Sequence, residues 1–124
     1  MTMSLRERVR SLLASRDQVE ASEERADALS VTGSTPVVDL ADRCRATACG
    51  VLRSVTLRPR DGAPALEAEL YDGSGSLDVV WLGRREIAGI VPGRRIVVEG
   101  MVTHVDGRRT MYNPAYQLRP RPHE

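Results

Sequence analysis

An all-β core preceded by one α-helix is the fold class this sequence predicts, and three observations carry it. From Ala65 to Gly83 the residues ALEAELYDGSGSLDVVWLG form two apolar-rich runs around Asp72-Gly73-Ser74-Gly75, the pattern of a β-hairpin. Two further D-G turns, Asp61-Gly62 and Asp106-Gly107, punctuate runs rich in β-branched residues. Residues 4 to 29, by contrast, contain neither Pro nor Gly. With 124 residues, of which 41% are hydrophobic and 28% charged, the chain has room for one globular domain and an appendage.

Taken in order, Ser4 can cap a helix whose Glu7 completes a capping box. The stripe of that helix is Leu5, Val9, Leu12, Leu13, Val19, Ala26 and Leu29, well formed early and thin after Arg16. Its acidic run, Glu20, Glu23, Glu24 and Asp27, reads as a solvated face. VTGSTP, residues 31–36, is a linker by composition. From Arg45 to Leu57 one long strand follows, bent at Gly50, where an absent side chain permits a bulge. Arg58 to Pro64 is an exposed loop.

In the hairpin, Leu66, Ala68 and Leu70 alternate with Glu67, Glu69 and Tyr71, so one set is buried and the other faces outward. Trp81 shares the parity of Leu77 and Val79, which points it into the core, with base stacking as the alternative. Arg84 to Val91 fits about two turns of helix, ended by Pro92-Gly93. Arg94 to His104 is the next strand, and Val102 to Val105 pairs with Arg109 to Tyr112 across Asp106-Gly107. From Arg119 the alternating Arg and Pro predict an extended, flexible tail.

Five strands with a short helix between strands 3 and 4 is the order of the five-stranded OB-fold barrel. The division is thus an N-terminal amphipathic helix over 1–30, a linker over 31–36, an OB-fold domain over 37–118 and a tail over 119–124. Certain residues also resemble a family: LYDGSGSLDVVWLG, then IVPGRRIVVEGMV, then MYNPAYQ are similar to OB domains of the tRNA-anticodon type. They look most like the OB wedge of branched-DNA helicases and the small OB-fold nucleic-acid-binding proteins of actinobacteria. Tyr71 to Gly75, Val80 to Gly83, Pro92 to Gly100 and Asn113 to Tyr116 match the pattern, over a stretch from Ala46 to Leu118. No helicase motor, phosphate-cradling P-loop or aminoacylation domain accompanies it. The resemblance therefore implies a freestanding binding module rather than an enzyme.

Charge limits how such a module could bind. The net charge is +1, so no global field draws in a polyanion and any attraction is local. All 18 basic residues are Arg, which fits either bidentate phosphate contacts or a coding bias. Rings are few, one Trp and three Tyr with no Phe, which limits base stacking. OB-folds take ligands across strands 2 and 3 between two flanking loops. Here those loops are Arg58 to Pro64 and His104 to Arg109, so Arg58, Arg60, Arg108 and Arg109 would meet phosphates, with Tyr71 as an exposed ring. Tyr112 and Tyr116 read as plugs at the end of the barrel, with ligand binding as the alternative.

The expected ligand is single-stranded or branched nucleic acid, DNA or RNA, bound with modest affinity. The alternative is a protein-interaction or homo-oligomerisation module that docks through the barrel and the N-terminal helix. No cofactor is expected. Cys44 and Cys49 fall on opposite faces of a strand and would neither pair nor share a metal. No acidic pair or Ser-His-Asp arrangement nominates a catalytic site. With no long apolar run and no signal-peptide pattern, a cytoplasmic location without membrane association is expected.

Overall fold

A computed structural model describes residues 4 to 120, apart from the side chains of residues 11 to 13. Leu12 and Leu13 of the predicted stripe, and the tail from residue 121, lie outside what is described. Helix α1 spans Leu5–Leu29 and starts as its capping box dictates. The Glu7 N–H donates to the Ser4 hydroxyl at 3.2 Å, and the Ser4 N–H donates to the Glu7 carboxylate at 3.4 Å. Among the described residues no helix is long and apolar enough to cross a membrane.

Six strands follow: β1 (Cys44–Leu57), β2 (Ala65–Tyr71), β3 (Ser76–Leu82), β4 (Arg95–Val105), β5 (Arg108–Tyr112) and β6 (Ala115–Leu118). Their pairing runs β1-β2-β3-β5-β4, and β4 returns to β1, so five strands close into a ring with β6 on the outer edge of β4. All pairs are antiparallel except β3 with β5. Closure depends on the length of β1. Its first half pairs with β4 and its second with β2, and Val51 stands opposite both Arg95 and Tyr71. The bulge expected at Gly50 falls further along β1, where the register with β2 shifts between Leu52 and Ser54, and Gly50 itself pairs regularly with Ile96.

The inward set is fully buried: Leu52, Leu70, Leu77, Val79, Ile96, Val98, Val102 and Met111 have essentially no exposed surface. Trp81 joins this core at 5% exposure, with its Nε1–H donating to the Pro114 carbonyl at 3.4 Å and Tyr116 standing edge-on at 5.6 Å. Cys44 is exposed and Cys49 buried, each a free thiol. Burial pushes the Cys49 thiol up, against the lowering influence of Arg119.

Two expectations are corrected. The segment after β3 is not a helix: Ile90 N–H closes a single turn onto the Ile87 carbonyl, and Gly89 has φ +83°. Its periodic Ile87 and Ile90 are buried, so they plug the core from a loop, where each side chain contributes about 2 kcal/mol. Among the described residues there are six strands, because Ala115–Leu118 pairs with β4 from Glu99 to Ile96. Arg119, expected to open the tail, is also tied down through its N–H to the Arg95 carbonyl at 2.9 Å.

Helix α1 divides in the opposite sense to its stripe: Leu5 and Val9 of the first half stand exposed, while the charged second half packs against the strands. Glu20 and Glu23 are exposed, whereas Glu24 and Asp27 turn onto the sheet. Arg95 reaches Glu24 at 3.1 Å and Asp27 at 3.3 Å, and Arg119 reaches Asp27 at 2.5 Å. About one turn earlier in the helix, the α1 backbone rests on the β2–β3 turn so closely that a Cβ at Gly73 would lie 2.2 Å from the Ala21 carbonyl oxygen. The second half of the helix is thereby part of the folded unit.

Candidate functional site

The alternation of β2 places Glu67 and Glu69 on the outside of the ring, and the register of β3 sets Asp78 opposite Glu69. Parallel pairing of β3 with β5 then brings Thr110 beside Asp78 and Tyr112 beside Val80. Across this outer face runs a groove of about 440 Å³. Its floor includes Thr56, Glu67, Glu69, Asp78 and Thr110, and its walls come from two loops. Arg58 and Arg60 descend from the β1–β2 loop, and Arg108 from the β4–β5 turn.

Both loops are shaped by their D-G turns. Asp61 and Gly62 have φ +49° and +80°, and Asp106 and Gly107 have φ +50° and +76°, the left-handed pair of a tight hairpin turn. In the first loop an Arg60–Ala63 bridge closes over the turn, which fixes where the Arg60 side chain begins.

None of the three arginines is free. Arg60 donates from Nε to Glu67 Oε1 at 2.9 Å and pairs with it again through Nη2, while Arg58 Nε stands 3.6 Å from Glu67 Oε2. Arg108 forks onto Asp78, Nε to Oδ2 at 2.5 Å and Nη2 to Oδ1 at 2.8 Å. Hydrogen bonding to these carboxylates raises the Arg60 and Arg108 guanidiniums above their ordinary value. With Glu69 and Asp106 also lining the groove, carboxylates outnumber arginines along it.

Of the five residues nominated from sequence, the structure gathers Arg58, Arg60 and Arg108 in this groove. Arg109 lines a neighbouring hollow with Glu69 and Ser76, and its guanidinium donates to the Val38 carbonyl at 3.0 Å and the Leu40 carbonyl at 3.4 Å. That engagement braces the 3-10 turn Val37–Asp39. Tyr71 does face outward but lies outside the groove, with the Arg53 guanidinium 3.4 Å from its ring centroid. The ring that does line the groove is Tyr112, 37% exposed, with Arg60 above it at 5.8 Å. Sequence reasoning set Tyr112 at the barrel's end, because nothing local announces the parallel β3–β5 pairing that brings it beside Val80.

Chemically, the groove offers guanidinium donors on both walls, carboxylate and hydroxyl acceptors between them, and one ring. Among the described residues no group of three or more His, Cys, Asp or Glu is placed to hold a metal ion.

No protein-family model and no curated protein matches the sequence. Solved structures do: a structure of RecG bound to a three-way DNA junction aligns with a TM-score of 0.58 at 20% identity. The chain shares a fold with part of RecG. The alignment covers 71% of this chain and 12% of the RecG chain, so this protein corresponds to a small portion of RecG's length. Helix α1 accounts for only 25 residues, so a likeness to RecG of that extent must reach across the strands.

Proposed function

We propose that the chain is a non-catalytic OB-fold module that binds single-stranded or branched nucleic acid, with modest affinity, across the outer face of β2 and β3. The observation that carries this reading is the convergence of Arg58, Arg60 and Arg108 from two loops onto one groove beside Tyr112. The ring of five strands, in which β1 pairs with both β2 and β4, fits a small OB barrel. Further support comes from the sequence resemblance to OB domains and from the shared fold with part of a protein solved on a three-way DNA junction. Guanidiniums on both walls suit a phosphate backbone, and Tyr112 suits one stacked base. Affinity is modest because the lining is not net positive.

Fluorescence anisotropy with labelled single-stranded and three-way-junction oligonucleotides tests the proposal. The wild-type chain should bind at about 50 mM salt and weaken measurably by about 200 mM. Replacing Arg58, Arg60 and Arg108 together by Ala should flatten the salt dependence, by no more than about 2 in log–log slope at roughly 0.7 for each lost phosphate contact. Absence of binding at low salt would remove the proposal, and an unchanged slope in the triple variant would remove the site.

A second reading has one observation in its favour. Leu5 is 78% exposed and Val9 47%, so the first half of α1 offers an apolar edge that the domain does not cover. A chain that binds no oligonucleotide and scatters light as more than one copy would favour a self-associating or protein-docking module.

A further inference from the structure

Within the groove, each arginine already holds an anion. The bidentate fork of Arg108 on Asp78, and the joint grip of Arg58 and Arg60 on Glu67, have the geometry in which guanidinium takes a phosphate. The carboxylates sit deeper than their partners: Glu67 and Asp78 side chains are 19% and 27% exposed, against 70%, 44% and 59% for Arg58, Arg60 and Arg108. The cations thus form the outer layer and can swing to an incoming group, while the anions are anchored on the strands.

We propose that Glu67 and Asp78 are resident competitors for backbone phosphates, so that a ligand enters by exchanging carboxylate pairs for phosphate contacts. This rests on the nucleic-acid reading of the same groove. Exchange fixes the class of ligand. The two pairs stand on opposite walls, one fed by the β1–β2 loop and one by the β4–β5 turn, so a ligand that releases both must present phosphates to both walls. A chain of linked phosphates can do this, whereas a mononucleotide engages one wall and leaves the other pair closed. Exchange also predicts a salt dependence in the unmodified chain shallower than three unpaired guanidiniums would give, because each carboxylate freed takes up a cation as the phosphate that replaces it releases one.

Glu69 supplies an internal control. It lines the same groove and carries the same charge, yet its carboxylate accepts from the Ser76 hydroxyl at 3.0 Å and pairs with no arginine among the described residues. Glu67→Gln, Asp78→Asn, the two together, and Glu69→Gln should be compared by anisotropy on one single-stranded oligonucleotide across a salt series. The double variant should bind about tenfold tighter at about 50 mM salt, with a slope steeper by about 1.4 from two released contacts. Glu69→Gln should change affinity by less than about threefold, as expected of a groove charge that frees no donor. These amides keep the shape of the acids on an outer face, and a thermal melt of each variant confirms that the fold is retained.

If the wild type binds and the double variant binds no tighter, or Glu69→Gln tightens as much as the double variant, exchange is wrong and the nucleic-acid reading stands. If the wild type does not bind at low salt, the nucleic-acid reading falls and the exchange with it.

Discussion

Asp72→Ala should lower the melting temperature by about 10 °C, the largest effect expected of any single substitution at the hairpin that organises the fold. The reason is the number of donors gathered on one carboxylate that is 1% exposed. Its Oδ1 accepts from the Ser74 N–H at 2.9 Å, the Ser74 hydroxyl at 2.7 Å and the Gly75 N–H at 3.2 Å. Its Oδ2 accepts from the Val37 N–H at 2.9 Å and from Arg25 of α1 at 2.6 Å. One side chain thus ties together the turn, the 3-10 segment and the helix. Removing it leaves a part-buried guanidinium and several N–H groups without an acceptor, which costs about 3 kcal/mol, the low end for a broken buried pair because Arg25 keeps some contact with water.

Acid should reveal the same group. Burial would raise the Asp72 carboxyl, but hydrogen bonds from the Ser74 hydroxyl, the Val37 and Ser74 N–H groups and Arg25 outweigh it and hold it below the ordinary carboxylate value. A depressed folded-state pKa contributes stability that is complete above the unfolded value of about 3.9 and is lost as pH falls through the folded value. Melting curves of wild type and Asp72→Ala should therefore converge below about pH 4, and a gap that stays constant with pH would contradict this role for the charge.

Gly50→Ala should cost about 3 kcal/mol in chemical denaturation, at the upper end for overpacking. A Cβ there would lie 2.4 Å from the Tyr71 carbonyl oxygen and 2.8 Å from Leu70 Cδ2. The nearest obstacle is backbone, so no rotamer change relieves it, and β1 would have to part from β2 where it also pairs with β4. Gly107→Asn is the matched control. It stands at φ +76° with nothing within 4 Å of its missing Cβ, and Asn tolerates that conformation, so its midpoint should stay close to wild type.

What was legible in the sequence was what local chemistry decides. Alternation set the faces of β2 and β3, the D-G dipeptides set the turns, and Ser4 with Glu7 set the start of α1. The misreadings occurred where distant pairing decides. Ile87, Ile90 and Val91 have helical spacing, yet Gly89 and Pro92 leave no length for a helix and the core claims the two isoleucines directly. Ala115–Leu118 lacks alternation because three of its four side chains are exposed, and it is a strand only because the edge of β4 is available. Glu24 and Asp27 read as solvated because their partners, Arg95 and Arg119, lie far along the chain. The same holds at the groove: two loops bearing arginines were visible, but not that Glu67 and Asp78 would hold them.

The central claim, that ligand crosses the outer face of β2 and β3 between the two arginine-bearing loops, is tested most directly by following backbone amide resonances while a short single-stranded oligonucleotide is added at low salt. The account predicts shifts at Thr56, Glu67, Glu69, Asp78, Thr110 and Tyr112, with Arg58, Arg60 and Arg108, while the face that carries Glu24 and Asp27 stays still. Shifts confined to α1, or spread evenly over the surface with the groove residues unmoved, would contradict it.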